Sequence, residues 1–110
     1  MNFDEAIEKA RKIRNLYDVL EEKKYGKKWE RKDLVLGFVH DVGDLVKTTM
    51  MMDGTREEIP ESRSMLSHEL SDCLWSILIL ADKYDVDIKE SFIENMYLLE
   101  QKLIEEKSSS

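Results

Sequence analysis

The chain predicts an all-α, four-helix bundle-like domain that is completed by oligomerisation. Glycine and proline, which interrupt helices, number only 4 and 1 among 110 residues. Apolar residues recur at helical spacing through four long segments. A single polar stretch, Asp53 to Ser62, contains the one proline, Pro60, and is the one real loop.

The first helix is expected over about Phe3 to Tyr25, with Phe3, Ile7, Ala10, Ile13, Tyr17 and Leu20 on its inward stripe and Gly26 as its stop. A basic connector, Lys27-Lys28-Trp29, follows. The second helix spans about Arg31 to Met52, with Leu34, Phe38, Val42, Leu45 and Val46 facing inward and Asp53-Gly54 closing it. Thr55 and Glu58 have the spacing of a capping box and can start a helical turn in the loop. The third helix covers about Ser62 to Tyr84. The fourth starts at the N-cap Asp87, with Glu90 at the third position, and runs to about Glu106. Its stripe is Ile88, Phe92, Met96, Leu99 and Leu103. One domain over residues 1–107 is expected, with a disordered tail at 108–110. No internal repeat is evident.

The run from Cys73 to Ala81 is apolar almost all the way round. An edge helix in a small bundle keeps one wet face, so this helix is either central or covered by a second subunit. In a domain of this size the second explanation is preferred, giving a homodimer or homotetramer. The same run is far shorter than the ~20 residues that cross a bilayer. No membrane association or signal peptide is expected, and a cytoplasmic location follows. The lone Cys73 excludes an intramolecular disulfide and suits a small core residue in a reducing compartment. A net charge of -7 argues against a nucleic-acid polymer as partner, but not against nucleotides, because bound cations reverse the local field.

Two acidic doublets carry the chemistry: Asp41-Val-Gly-Asp44 and Glu69-Leu-Ser-Asp72. Residues three apart share a helix face. Most such pairs are solvated surface, but these two lie in apolar segments. Asp41 falls on the line Leu34, Phe38, Asp41, Leu45, and Glu69 and Asp72 lie among Met65, Leu66, Leu70, Cys73 and Trp75. Buried carboxylates need a partner, a proton or a metal. Lys47 is the obvious basic partner, so a salt-bridge network competes with a metal cluster; the cluster is preferred.

Spacing tests the other metal designs. A ferritin-like di-iron site wants Glu-x-x-His pairs, and Gly37 and Met65 stand three positions before His40 and His68. The phosphohydrolases built on a His-Asp pair, such as His40-Asp41, need further upstream histidines that the chain lacks. Cys73 and the two histidines are too scattered for zinc. Magnesium held by Asp41, Asp44, Glu69 and Asp72 remains, with manganese as the alternative.

These residues resemble the all-α nucleotide pyrophosphohydrolases typified by MazG. The resemblance lies in His40-Asp41-Val-Gly-Asp44, 24 intervening residues, then Glu69-Leu-Ser-Asp72. Val42-Gly43-Asp44-Leu45 looks like the family's Val-Gly-Glu-Leu, and His68 to Leu74 looks like its second motif. Tyr84 to Ile88 resembles the turn into the last helix, so the likeness covers roughly Trp29 to Leu103. There are departures. The family usually has Glu-Glu-x-x-Glu in the first motif, where this chain has His40, Asp41 and the shorter Asp44; its last helix often has a lysine where this chain has Asn95.

The resemblance implies hydrolysis of a nucleoside triphosphate to a monophosphate and pyrophosphate, as in the removal of non-canonical nucleotides. A catalytically weak or inactive helical interaction module of the same fold is the alternative. His40 is the candidate proton acceptor, although adjacent helical residues point about 100° apart. Otherwise it is a partly buried histidine bonded to backbone, as is His68, which is assigned no role. Lys47 is the candidate phosphate contact or else a solvated lysine paired with Asp44; Asn95 is the candidate reader of sugar or base or else a water-mediated bridge between helices; Trp29, with Tyr97, is the candidate base stack or else core. The run Met50-Met51-Met52 either lines an adaptable pocket or packs a helix end.

Overall fold

The computed structural model describes residues 1–55, 57 and 59–109. These form four helices: α1 Phe3–Tyr25, α2 Arg31–Met52, α3 Ser62–Lys83 and α4 Ile88–Ser109. No strand occurs among the described residues. The fold is all-α.

Local chemistry sets the helix ends. Asn2 Oδ1 accepts the Glu5 N–H at 2.8 Å and opens α1, satisfying a donor with no intrahelical partner. Gly26, at φ 78°, closes it by donating its N–H to Glu22 O. α2 opens where the Asp33 carboxylate accepts the Glu30 N–H at 2.9 Å. Past α2, Gly54 (φ 81°) reverses the chain and the Thr55 N–H reaches Met50 O at 2.9 Å. Asp87 Oδ1 accepts the Glu90 N–H at 3.1 Å, the expected N-cap of α4. The turn expected at Thr55 and Glu58 lies outside the described residues, because Glu58 does.

α3 is the central helix, packing against α2 on one side and α1 on the other. Ala10, Leu34, Leu78 and Ile79 form the buried nucleus, with Ile7, Trp75, Leu80 and Ile88 against it. The Trp75 indole N–H donates to Ala10 O at 3.2 Å, tying α3 to α1.

Four expectations need correction. On α1, Phe3, Ile13, Tyr17 and Leu20 are exposed; the inward face is Ile7, Ala10, Arg14, Asp18 and Glu21. The true stripe and the expected one part after Ala10 by a single residue. On α2, Leu34, Phe38, Asp41 and Leu45 point inward, but Val42 and Val46 are exposed. Helicity continues through Ser108 and Ser109, where a tail was expected. The largest correction concerns α4. From Glu90 to Ser108 every residue is exposed, and the base of the helix is tied to the rest through Ile88 and the ion pair from Lys89 Nζ to Asp4 at 2.8 Å.

The packed unit of the chain is therefore three helices, with α4 projecting. The radius of gyration is 17.9 Å, against roughly 13 Å for a compact chain of this length. The long axis reaches 60 Å.

Candidate metal centre

The two acidic doublets sit on the two helices that pack most extensively. The Ser76 hydroxyl on α3 donates to Asp41 Oδ2 on α2 at 3.0 Å, which sets the register between them. In an antiparallel pair, a step forward along one helix is a step back along the other. Asp44 therefore falls at the level of Asp72 and Cys73, and Thr48 at the level of Glu69.

On α2, His40, Asp41 and Asp44 each offer a ligand atom within 4.8 Å of the others. His40 Nδ1 lies 3.5 Å from Asp44 Oδ2. On α3, His68 Nε2 lies 3.2 Å from Asp72 Oδ2. Glu69 and Asp72 stand outside the 4.8 Å grouping on α2. A partly buried, backbone-bonded histidine was the reading of His68 and the alternative for His40. Their side chains are instead 76% exposed, each facing the aspartate one turn along. The doublets are thus two copies of one pattern, His-acid-x-x-Asp, carried on facing helices.

Buried Cys73 lies between the two helices' carboxylates in charge as well as in sequence. Its thiol is pushed up from the ordinary range, first by burial and then by the carboxylates of Asp41, Asp72 and Glu69. Glu69 Oε2 is buried without a hydrogen-bond partner, and so is the Thr48 hydroxyl, on a side chain with no exposed surface. Buried polar atoms without partners are rare and need an explanation. The competing network led by Lys47 does not form: among the described residues no lysine or arginine pairs with Asp41, Asp44, Glu69 or Asp72. The donor set is carboxylate oxygen with imidazole at the margin. That chemistry, with an orphaned Glu69 oxygen on the facing helix, suits a hard divalent cation.

A cavity of about 690 Å³ opens beside Asp41, between α1, α2 and α3. Tyr17, Trp29 and Trp75 form much of its wall, and Arg14 lies in it. Arg14 and its partner Glu21 are cavity-lining residues that the apolar pattern of α1 hid. Arg14 Nε donates to Asp18 at 3.0 Å and Nη2 to Glu21 at 2.7 Å. The available signal was an arginine with acids one and two turns later on the Ala10 face. Ser76, inside an apolar run, had none.

Trp29 lines this cavity, as does His40. Lys47 is exposed on α2. Asn95 and Tyr97 lie on the exposed part of α4, away from the carboxylates of their own protomer. Met51 and Met52 are partly buried at the end of α2, whereas Met50 is exposed. No helix among the described residues is long and apolar enough to cross a membrane. No protein-family model matches this chain, and no curated protein matches it.

Proposed function

We propose that the chain is a magnesium-dependent nucleotide pyrophosphohydrolase of the MazG-like kind, converting a nucleoside triphosphate to its monophosphate and pyrophosphate. One observation carries the reading: a buried Glu69 oxygen on α3 has no partner, on the helix whose Ser76 bonds Asp41 of α2, and no lysine or arginine among the described residues pairs with any of the four carboxylates. The aromatic cavity that shares Asp41 gives the substrate a place beside them.

Asp41, Asp44, Glu69 and Asp72 would hold magnesium, or manganese in its place. The chemistry such an ion supplies is Lewis-acid activation of water and neutralisation of phosphate charge. Ser76 holds Asp41 in one orientation through its hydroxyl. With the proton of His40 on Nδ1, facing Asp44, its Nε2 is free to accept one from water. Lys47 is a candidate for the outer phosphates. Asn95 could serve only across a subunit boundary, since α4 leaves its own site.

Oligomerisation belongs to the same proposal. Phe92, Met96, Leu99 and Leu103 are 41–61% exposed along α4, and Leu70, Leu74 and Ile77 are exposed on α3. Such a surface exceeds what a monomer normally shows to water. A second copy of the chain, in a dimer or tetramer, would cover it.

The deciding experiment measures pyrophosphate release from a panel of nucleoside and deoxynucleoside triphosphates, with magnesium, with manganese and in chelator. Release that needs the ion and disappears in Glu69→Gln supports the reading. Silence across the panel would favour the second reading, a helical interaction module. The free stripe of α4 and the shortened, histidine-bearing first motif favour that alternative.

A further inference from the structure

We infer that the cavity between α1, α2 and α3 is a subsite for a flat heteroaromatic ring, with Arg14 as its fixed floor and Trp29, seated on Gly37, as its adjustable wall. The inference rests on the nucleotide reading above and names the part of the substrate that this chain discriminates: the base.

Size and lining come first. About 690 Å³ is ample for a small organic ligand. Both tryptophans of the chain and Tyr17 line the space, and stacking on such rings accepts any base. Asp41 and His40 line the same cavity, so a base held there leaves its phosphates toward the proposed metal ligands.

Selectivity needs a polar group, and Arg14 supplies one. Its side chain is only 5% exposed, yet it borders the cavity. The guanidinium lies 5.7 Å from the ring centres of Tyr17 and Trp29 and 6.0 Å from that of Trp75. Asp18 and Glu21 hold its Nε and Nη2, which fixes the plane. Arginine has five N–H donors, and among the described residues Nη1 has no hydrogen-bond acceptor. A pre-oriented cationic donor of this kind suits a ring carbonyl, as in guanine, cytosine and uracil. Adenine has none.

Gly37 explains how the wall is set. It lies inside α2, where glycine is less stable than alanine. A Cβ at this position would stand 2.8 Å from Trp29 Cζ3 and 3.4 Å from Cη2. The indole can rest where it does only because residue 37 has no side chain. The Trp29 N–H is anchored on Glu21 Oε1 at 3.1 Å, so a methyl group at 37 displaces the ring while the backbone stays.

The test titrates the full-length protein with guanosine, cytidine, uridine and adenosine, without metal, and follows tryptophan fluorescence. Both tryptophans face the cavity, so occupancy changes the signal. The expected result is saturable quenching by the three carbonyl-bearing nucleosides, at least tenfold weaker with adenosine. Gly37→Ala should weaken binding at least tenfold while melting no lower than the parent, and Trp29→Leu should weaken it as well. No saturable quenching, unchanged affinity in Gly37→Ala, or adenosine binding as tightly as cytidine overturns the inference. The pyrophosphate assay separates the two readings. Hydrolysis without nucleoside binding removes this subsite and leaves the enzyme; nucleoside binding without hydrolysis does the opposite.

Discussion

Replacing Glu69 with glutamine keeps the size and removes the charge from the one buried carboxylate oxygen without a partner among the described residues. In the metal-free protein that oxygen is buried with nothing to donate to it, and an amide in its place carries no charge to leave unsolvated. An unsatisfied buried group costs about 1–3 kcal/mol, more for charged groups. Glu69 is only partly buried, so water screens part of this and the lower end applies, about 1 kcal/mol. For a domain near 100 residues that corresponds to roughly 4 °C in melting temperature. In chelator, Glu69→Gln should therefore melt about 4 °C above the parent. Magnesium should reverse the order. At a hundred times its dissociation constant, a ligand stabilises the folded state by ~2.7 kcal/mol, which the parent gains and the variant largely loses. Thermal melts by circular dichroism, in chelator and across a magnesium series, read both signs. A variant that melts lower in chelator, or that gains as much from magnesium as the parent, would refute the reasoning.

Thr48 has a fully buried hydroxyl with no partner, so the near-isosteric Thr48→Val should raise stability by about 1 kcal/mol in urea titration; a loss of stability would show that the hydroxyl is satisfied in solution. Arg14→Met leaves Asp18 and Glu21 without their cation in a site where both are mostly buried, and breaking a buried pair costs about 3–5 kcal/mol. The variant should be largely unfolded at 37 °C by circular dichroism, and a fall of less than about 1 kcal/mol would mean that the cage is looser than its geometry. Analytical ultracentrifugation should find the parent above its 13.0 kDa chain mass, and the double substitution Phe92→Glu, Leu99→Glu should return it to that mass; a monomeric parent removes the oligomer from the proposal.

Much of the candidate site was legible because its signal is local. Asp41 and Asp44 share a helix face whatever the fold, as do Glu69 and Asp72, and their apolar neighbours mark them as unusual. The hydrogen bond from Ser76 to Asp41 was not legible, since it depends on the register of two helices far apart in sequence. Nor was the role of Trp29. Its position depends on the absence of a side chain at Gly37 and on the Glu21 carboxylate that accepts its N–H.

The sequence alone determined four helices and most of their ends. Asn2, Gly26, Gly54 and Asp87 act on groups within one turn, so their effect does not wait for tertiary contacts. Only the tertiary structure decided which way each helix faces. After Ala10, an apolar stripe through Ile13 and Tyr17 and a charged one through Arg14 and Asp18 are equally helical. The charged stripe is the one turned inward, because Asp18, Glu21 and three aromatic rings together satisfy a guanidinium that none could bury alone. The same rule left α4 outside. A helix is buried only where a partner surface exists, and within the chain that surface reaches α4 only at Ile88 among the described residues of its stripe.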